Sequence, residues 1–224
     1  HKGLTMFFLS MKTPGVEVRP IKQANGQSGF NEVYFTDVRI PDSQRLGPVG
    51  KGWEVSLTTL MNERLSIGAG MSTFFPELFR MCLETEVEGR PAVDDPAVRS
   101  KLAQFAVRQS GLRYTGMRAI TALSKGETPG PENSIGKLVA GATMQELATF
   151  ALDLQGQAGV VWDQTSPQEG RFQALLMRSP ATRIEGGSDE ILRNIIGERV
   201  LGLPGDIRVD KDIAFRDIPT SGRA

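Results

Sequence analysis

The sequence is short of histidine and cysteine and carries no excess of either charge. Its one histidine is His1, at the terminus. That excludes a Ser-His-Asp triad, a Cys-His pair and most zinc sites. It also excludes a di-iron bundle, which needs Glu-x-x-His twice. The one cysteine, Cys82, cannot form an intrachain disulfide, and a reducing, cytoplasmic setting is expected. Lysine plus arginine equals aspartate plus glutamate, 26 each, so no net field draws the chain to nucleic acid or to an anionic membrane. No apolar run reaches about 18 residues, the length a membrane-spanning helix needs. Chemistry here must run on carboxylates, arginines, backbone amides or a bound organic cofactor.

What is present suits one large soluble domain or two small ones: 224 residues, 39% hydrophobic and 23% charged. The chain opens at His1 without a leader pattern and enters a strand-like run at once, so it reads as a fragment or a processed chain. Residues 4 to about 46 read as strands. "LTMFFLSM", "VEVRPI" and "NEVYFTDVRI" are rich in β-branched and aromatic residues, with turn signals at Pro14-Gly15, Asn25-Gly26 and Pro41-Asp42. Three strands cannot close a barrel, so they need partners elsewhere.

From about residue 52 the apolar period becomes helical. A first helix is expected over roughly 52–86, apolar on most of its circumference, which suits burial on several sides or an oligomer interface. Asp94-Asp95-Pro96 signals the start of a second, with Val98, Leu102, Phe105, Ala106, Leu112, Met117, Ile120 and Leu123 on its apolar side. After a turn at Gly126 to Pro131, a third follows with Ile135, Leu138, Val139, Ala142, Leu147, Ala148 and Ala151. A last helix is expected near Ser188, with Ser188 as its N-cap and Asp189 and Glu190 in its first turn, where the helix dipole favours anions.

Three segments carry a resemblance to a known family: "GFNEVYFTDVRIP" (29–41), "GKGWEVSLTTLMNERLSIGAG" (50–70) and "RIEGGSDEILRNIIGERVLGLP" (183–204). In content, order and spacing they resemble the C-terminal part of a flavin-dependent acyl-CoA dehydrogenase. The resemblance runs from residue 1 to about 205. It implies an α+β, mainly helical chain: a C-terminal four-helix bundle preceded by a partial antiparallel β-domain. The expected division is 1–48 for the end of the β-domain, 49–204 for the bundle and 205–224 for a mobile tail.

The implied reaction removes an α-proton from an acyl-CoA thioester while a β-hydride passes to FAD. Electrons then leave to an electron-transfer flavoprotein. The thioester carbonyl must be polarised, because an α-proton is otherwise too weak an acid for a carboxylate. Many members carry the base five residues before the isoleucine of the terminal motif. Here that position, counted from Ile191, is Gly186. A second solution in the family places the base on the first bundle helix, immediately before an arginine. Here that pair is Glu63-Arg64. The resemblance thus assigns the base to Glu63 and substrate contacts to Arg64 and Gly186. It assigns cofactor contacts to Gly156, Gly159, Gly187, Ser188 and Glu190. Glu185 lies one position off and reads as an acid that complements the helix dipole.

Two departures touch the adenine end of the cofactor. The family's Arg-x-x-Phe-Gly slots hold Thr85 and Glu88, with Arg90 out of register. The Gln-x-x-Gly-Gly-x-Gly segment appears as "DLQGQAG" (153–159), keeping Gly156 and Gly159. Either FAD is held differently or the subunit works in a heteromeric assembly. A homodimer or homotetramer is the other expectation, and residues 1–224 alone are expected to bind little FAD and to be inactive. The alternative functions are a non-catalytic partner subunit and a flavin monooxygenase of the same fold. Glu63 argues against the last, which needs no α-proton base.

Overall fold

The computed structural model describes residues 3–70, 74–127, 130–163, 165–205, 207, 210 and 213–218; of residues 61, 62, 64–70 and 215 it describes the backbone alone. Among these residues are six α-helices and three two-stranded antiparallel ribbons. None of the described helices is long and apolar enough to cross a membrane.

The strand region is thinner than the sequence suggests. From residues 4–11 only β1 (Met6–Phe7) is strand, paired with β4 (Arg45–Leu46). The hairpin β2 (Val16–Ile21) and β3 (Phe30–Phe35) pairs Val16 with Phe35 and Ile21 with Phe30. Its turn is fixed by Gln23 N–H donating to Gln27 O at 2.8 Å and by Asn25 Oδ1 accepting from Gln27 N–H at 3.0 Å. Both faces of the hairpin remain largely open: Val18, Val33, Tyr34 and Phe35 are all exposed.

The expected first helix is two: α1 (Gly52–Gly70) and α2 (Phe75–Glu84). The residue before α2, Phe74, has left-handed backbone with φ 54°, which no helix can run through. The tight ribbon β5 (Glu86–Val87) and β6 (Arg90–Pro91) leads to α3 (Pro96–Ser124). Asp95 caps that helix, its Oδ1 accepting from the N–H groups of Ala97 at 2.8 Å and Val98 at 3.0 Å. Val98, Leu102 and Phe105 are buried, but the same stripe further on, at Met117, Ile120 and Leu123, is exposed. The helix outruns the body it packs on.

The central element is α4 (Asn133–Leu154), which packs against α1, α2, α3 and, beyond them, α5 (Arg171–Thr182) and α6 (Asp189–Ile195). It is therefore buried on more than one side, and its buried set includes Ser134, Lys137, Gly141 and Thr143 beside Leu147, Ala148 and Ala151. The core gathers Leu78, Met81 and Cys82 from α2, Phe105 from α3, Leu147 and Ala151 from α4, and Phe172 and Leu175 from α5. Each fully buried large side chain contributes about 1.5–3 kcal/mol by leaving water.

The sequence reading did not anticipate α5. It starts at Gly170, whose φ is 70°, and contains Pro180. Proline has no N–H for the carbonyl four residues back. The buried Ser179 hydroxyl donates to that carbonyl, Leu176 O, at 2.8 Å. The helix continues to Thr182 with the missing donor replaced by a side chain.

Candidate functional site

Residues of the two expected halves of the site share α4 as a scaffold. Glu63 lies on α1, about three turns past Gly52. Its side chain is exposed, and α1 packs along α4. The Arg64 side chain lies outside the described residues; its backbone is part of α1.

The terminal motif is a short loop between α5 and α6. Ile184 and Glu185 N–H both donate back to Ala181 O, at 3.0 and 2.9 Å, closing the end of α5. Gly186 and Gly187 then take φ of 65° and 102°, left-handed values that strain other residues. Ser188 caps α6, its hydroxyl accepting from Ile191 N–H at 3.4 Å. Asp189 and Glu190 stand in the first turn, as expected. The Glu190 carboxyl is held below the usual range by its own backbone N–H and by the Ser188 hydroxyl.

Three clamps hold this loop. At its base, Asp189 N–H donates to Arg183 O at 3.1 Å, and Arg183 Nε donates to Asp189 Oδ2 at 2.7 Å. Arg183 is in turn fixed to α4 through Gln145 Oε1 at 2.9 Å. On one side, Arg178 Nη2 donates to both carboxylate oxygens of Glu185, at 2.7 Å each. At the tip, the buried Lys137 ammonium donates to Gly187 O at 2.6 Å. Burial holds Lys137 below the usual lysine range, and the charges of Asp189 and Glu185 push the other way. Among the described residues, no backbone carbonyl accepts from the N–H groups of Gly186, Gly187 or Ser188.

Lys137, Gln145, Arg178 and Arg183 escaped the sequence reading, as did the bond that ties Asp189 to Arg183. A lysine or glutamine in a helix ordinarily reads as solvated. The one available signal is the run of small residues around Lys137, where a buried helix face is cheap to build. Beside the loop, a cleft of about 690 Å³ is lined by Lys101, Gln145, Thr149, Arg183 and Arg193, among others.

The glycine segment after α4 separates into two cases. Residues Gly156–Val160 form a 3-10 turn. Gly159 is buried, and an added Cβ there would collide with the Leu152 carbonyl oxygen, so packing alone accounts for it. Gly156, with φ 58°, is exposed and has no atom within 4 Å of an added Cβ, leaving its backbone open to a ligand. Behind the segment, Gln155 bridges Gln168 at 3.0 Å and Gln173 at 3.2 Å. On the other side, Thr85 ends α2 and Glu88 sits with φ 51° in the turn of the β5–β6 ribbon. Neither offers a cation.

The model of the acyl-CoA dehydrogenase C-terminal domain matches residues 50–201. The chain belongs to the acyl-CoA dehydrogenase family. It is 38% identical over 217 residues to the acyl-CoA dehydrogenase IpdE1 of Mycolicibacterium smegmatis, covering 93% of this chain and 51% of that protein. The chain thus spans about half the length of such curated acyl-CoA dehydrogenases. Among solved structures it superposes on the Tcur3481-Tcur3483 steroid ACAD with a TM-score of 0.79 at 22% identity, covering 92% of this chain and 53% of that one. It also superposes on the ChsE4-ChsE5 complex of Mycobacterium tuberculosis with a TM-score of 0.74 at 21% identity, covering 92% and 55%. At those identities the likeness is one of fold.

Proposed function

We propose that this chain supplies the base and the thioester-binding turn of a flavin-dependent acyl-CoA dehydrogenase. The observation that carries the reading is the Gly186–Gly187 turn, clamped from three sides while its own N–H groups meet no described backbone acceptor. Such preorganised donors are what a developing enolate oxygen requires. Glu63 then takes the α-proton as an exposed carboxylate on α1, with Arg64 and Gly186 contacting the substrate. Glu185 is not needed as a base, because its carboxylate is committed to Arg178.

The open backbone at Gly156 fits a flavin dinucleotide, with the Gly187, Ser188 and Glu190 side of the loop completing the expected contacts. When bound, FAD supplies the hydride acceptor. The protein's part is to hold the thioester, move one proton and keep water out. An electron-transfer flavoprotein is the proposed electron acceptor, and the cytoplasm the proposed setting. The same reading divides the chain at residues 48/49 and 204/205.

A second reading is favoured by Thr85 and Glu88. With no cation at the adenine slots, the subunit completes a heteromeric enzyme in which its partner holds FAD. The exposed stripe of Tyr114, Met117, Ile120 and Leu123 on α3 offers a surface for such assembly. Anaerobic titration of the full-length protein with a panel of acyl-CoAs tests both. Bleaching of the flavin absorbance supports the first reading. Flavin retained only on co-expression with a homologous subunit supports the second. A yellow protein that no acyl-CoA reduces sinks the dehydrogenase assignment.

A further inference from the structure

Gly186 and Gly187 are the residues least able to keep a shape unaided, since glycine reaches every allowed backbone region at little cost. Their geometry has to be imposed from outside. Two of the three clamps act at the shoulders of the loop, on Glu185 and Asp189. Lys137 is the one that grips a glycine's own backbone, through Gly187 O at 2.6 Å.

Lys137 comes from α4, and it is 2% exposed. A buried ammonium is expensive unless it is hydrogen-bonded and faced by opposite charge. Here Asp189 and Glu185 face it. One turn further along α4, Gly141 permits the close approach: an added Cβ there would meet Thr182 O at 3.3 Å and Arg183 Cγ at 3.5 Å. A trans peptide points its C=O and N–H in opposite directions. Drawing the Gly187 carbonyl onto Lys137 therefore turns the Ser188 N–H away from α4, out of the bundle.

We propose that Lys137 is a positioning residue for the thioester carbonyl, holding the glycine turn so that its N–H groups stay aimed at the substrate oxygen. The inference rests on the reading of this turn as the thioester site. It concerns aim, so its signature is selective for the carbonyl.

The test uses full-length protein with FAD bound and compares binding of butyryl-, octanoyl- and cyclohexanecarbonyl-CoA with that of their S-alkyl thioethers, which lack the carbonyl oxygen. Wild type should prefer each thioester it binds. Lys137→Met should weaken thioester binding roughly 10-fold, a fraction of what outright loss of an oxyanion donor costs, and leave thioether binding unchanged. Lys137→Arg keeps a donor but alters its reach, and should fall between the two. It decides alone if Lys137→Met does not fold. Thioester and thioether affinities falling together, or a ratio in either variant equal to wild type, would overturn the proposal. A wild type that shows no thioester preference overturns the underlying reading of the turn instead.

Discussion

The hairpin β2–β3 and the bundle around α4 are made from similar stocks of apolar residues, and they spend them differently. In the hairpin, Phe35 is 60% exposed and Phe30 48%. In the bundle, Phe172 is fully buried and Phe105 nearly so. The difference is one of layers. A sheet face must be covered by another element, and two strands alone cover neither face. The helices close on one another, and α4, packed on several sides, buries even a lysine. The bundle can hold a precise polar loop because its own helices supply the side chains that clamp it. The hairpin's apolar residues wait for walls that the described chain does not supply.

Core truncation should sharpen that contrast most. Phe172→Ala is expected to destabilise the chain by about 3–5 kcal/mol in urea unfolding, whereas Phe35→Ala should change it by no more than about 0.5 kcal/mol. Equal losses would mean that the hairpin is packed in solution. Next comes the proposed base, on the helix that joins the two regions. In the full-length protein, Glu63→Gln should slow acyl-CoA-driven flavin reduction by about 10²-fold or more with FAD retained, while Glu185→Gln keeps most of the rate. An inactive Glu185→Gln beside an active Glu63→Gln would move the base to the terminal loop. A smaller effect is expected at a helix start: Asp95→Ala removes the cap of α3 and should cost about 1 kcal/mol, read from the unfolding midpoint. The smallest effect at neutral pH belongs to Cys82. Burial pushes its thiol from 9.0 up to about 11, so the folded chain keeps a proton that the unfolded chain loses. Stability should be unaffected below pH 9 and fall as pH climbs toward 11. Cys82→Ala should lack that contribution to the alkaline slope.

Much of the bundle was legible because its helix ends are written in local chemistry. Asp95-Pro96 and Ser188-Asp189-Glu190 announce their helices within a few residues, and both caps form. The start of α5 was not legible. Its N-terminal neighbour is a left-handed glycine, and its interior proline reads as a breaker until Ser179 is seen to replace the lost donor. On α4 the apolar period pointed to Ile135, Leu138, Val139 and Ala142, which are only half-buried. The deeper face carries Ser134, Lys137 and Gly141, because contact with α5 and the loop after it demands small or hydrogen-bonding residues there. Of the site, the glycine turn and its cap were legible as a motif. The clamps that hold it were not, since Lys137, Arg178 and Arg183 meet their partners only after the chain has folded.

The exchange of donors at Ser179 and Pro180 also ties two neighbouring positions into one heritable unit. Proline is tolerable at 180 because the Ser179 hydroxyl fills the carbonyl that it leaves without a backbone donor. Ser179→Ala alone strands that carbonyl, and Pro180→Ala alone hands it two donors. Serine at 179 therefore matters most while proline stands at 180, and the double substitution should be milder than the sum of the single ones.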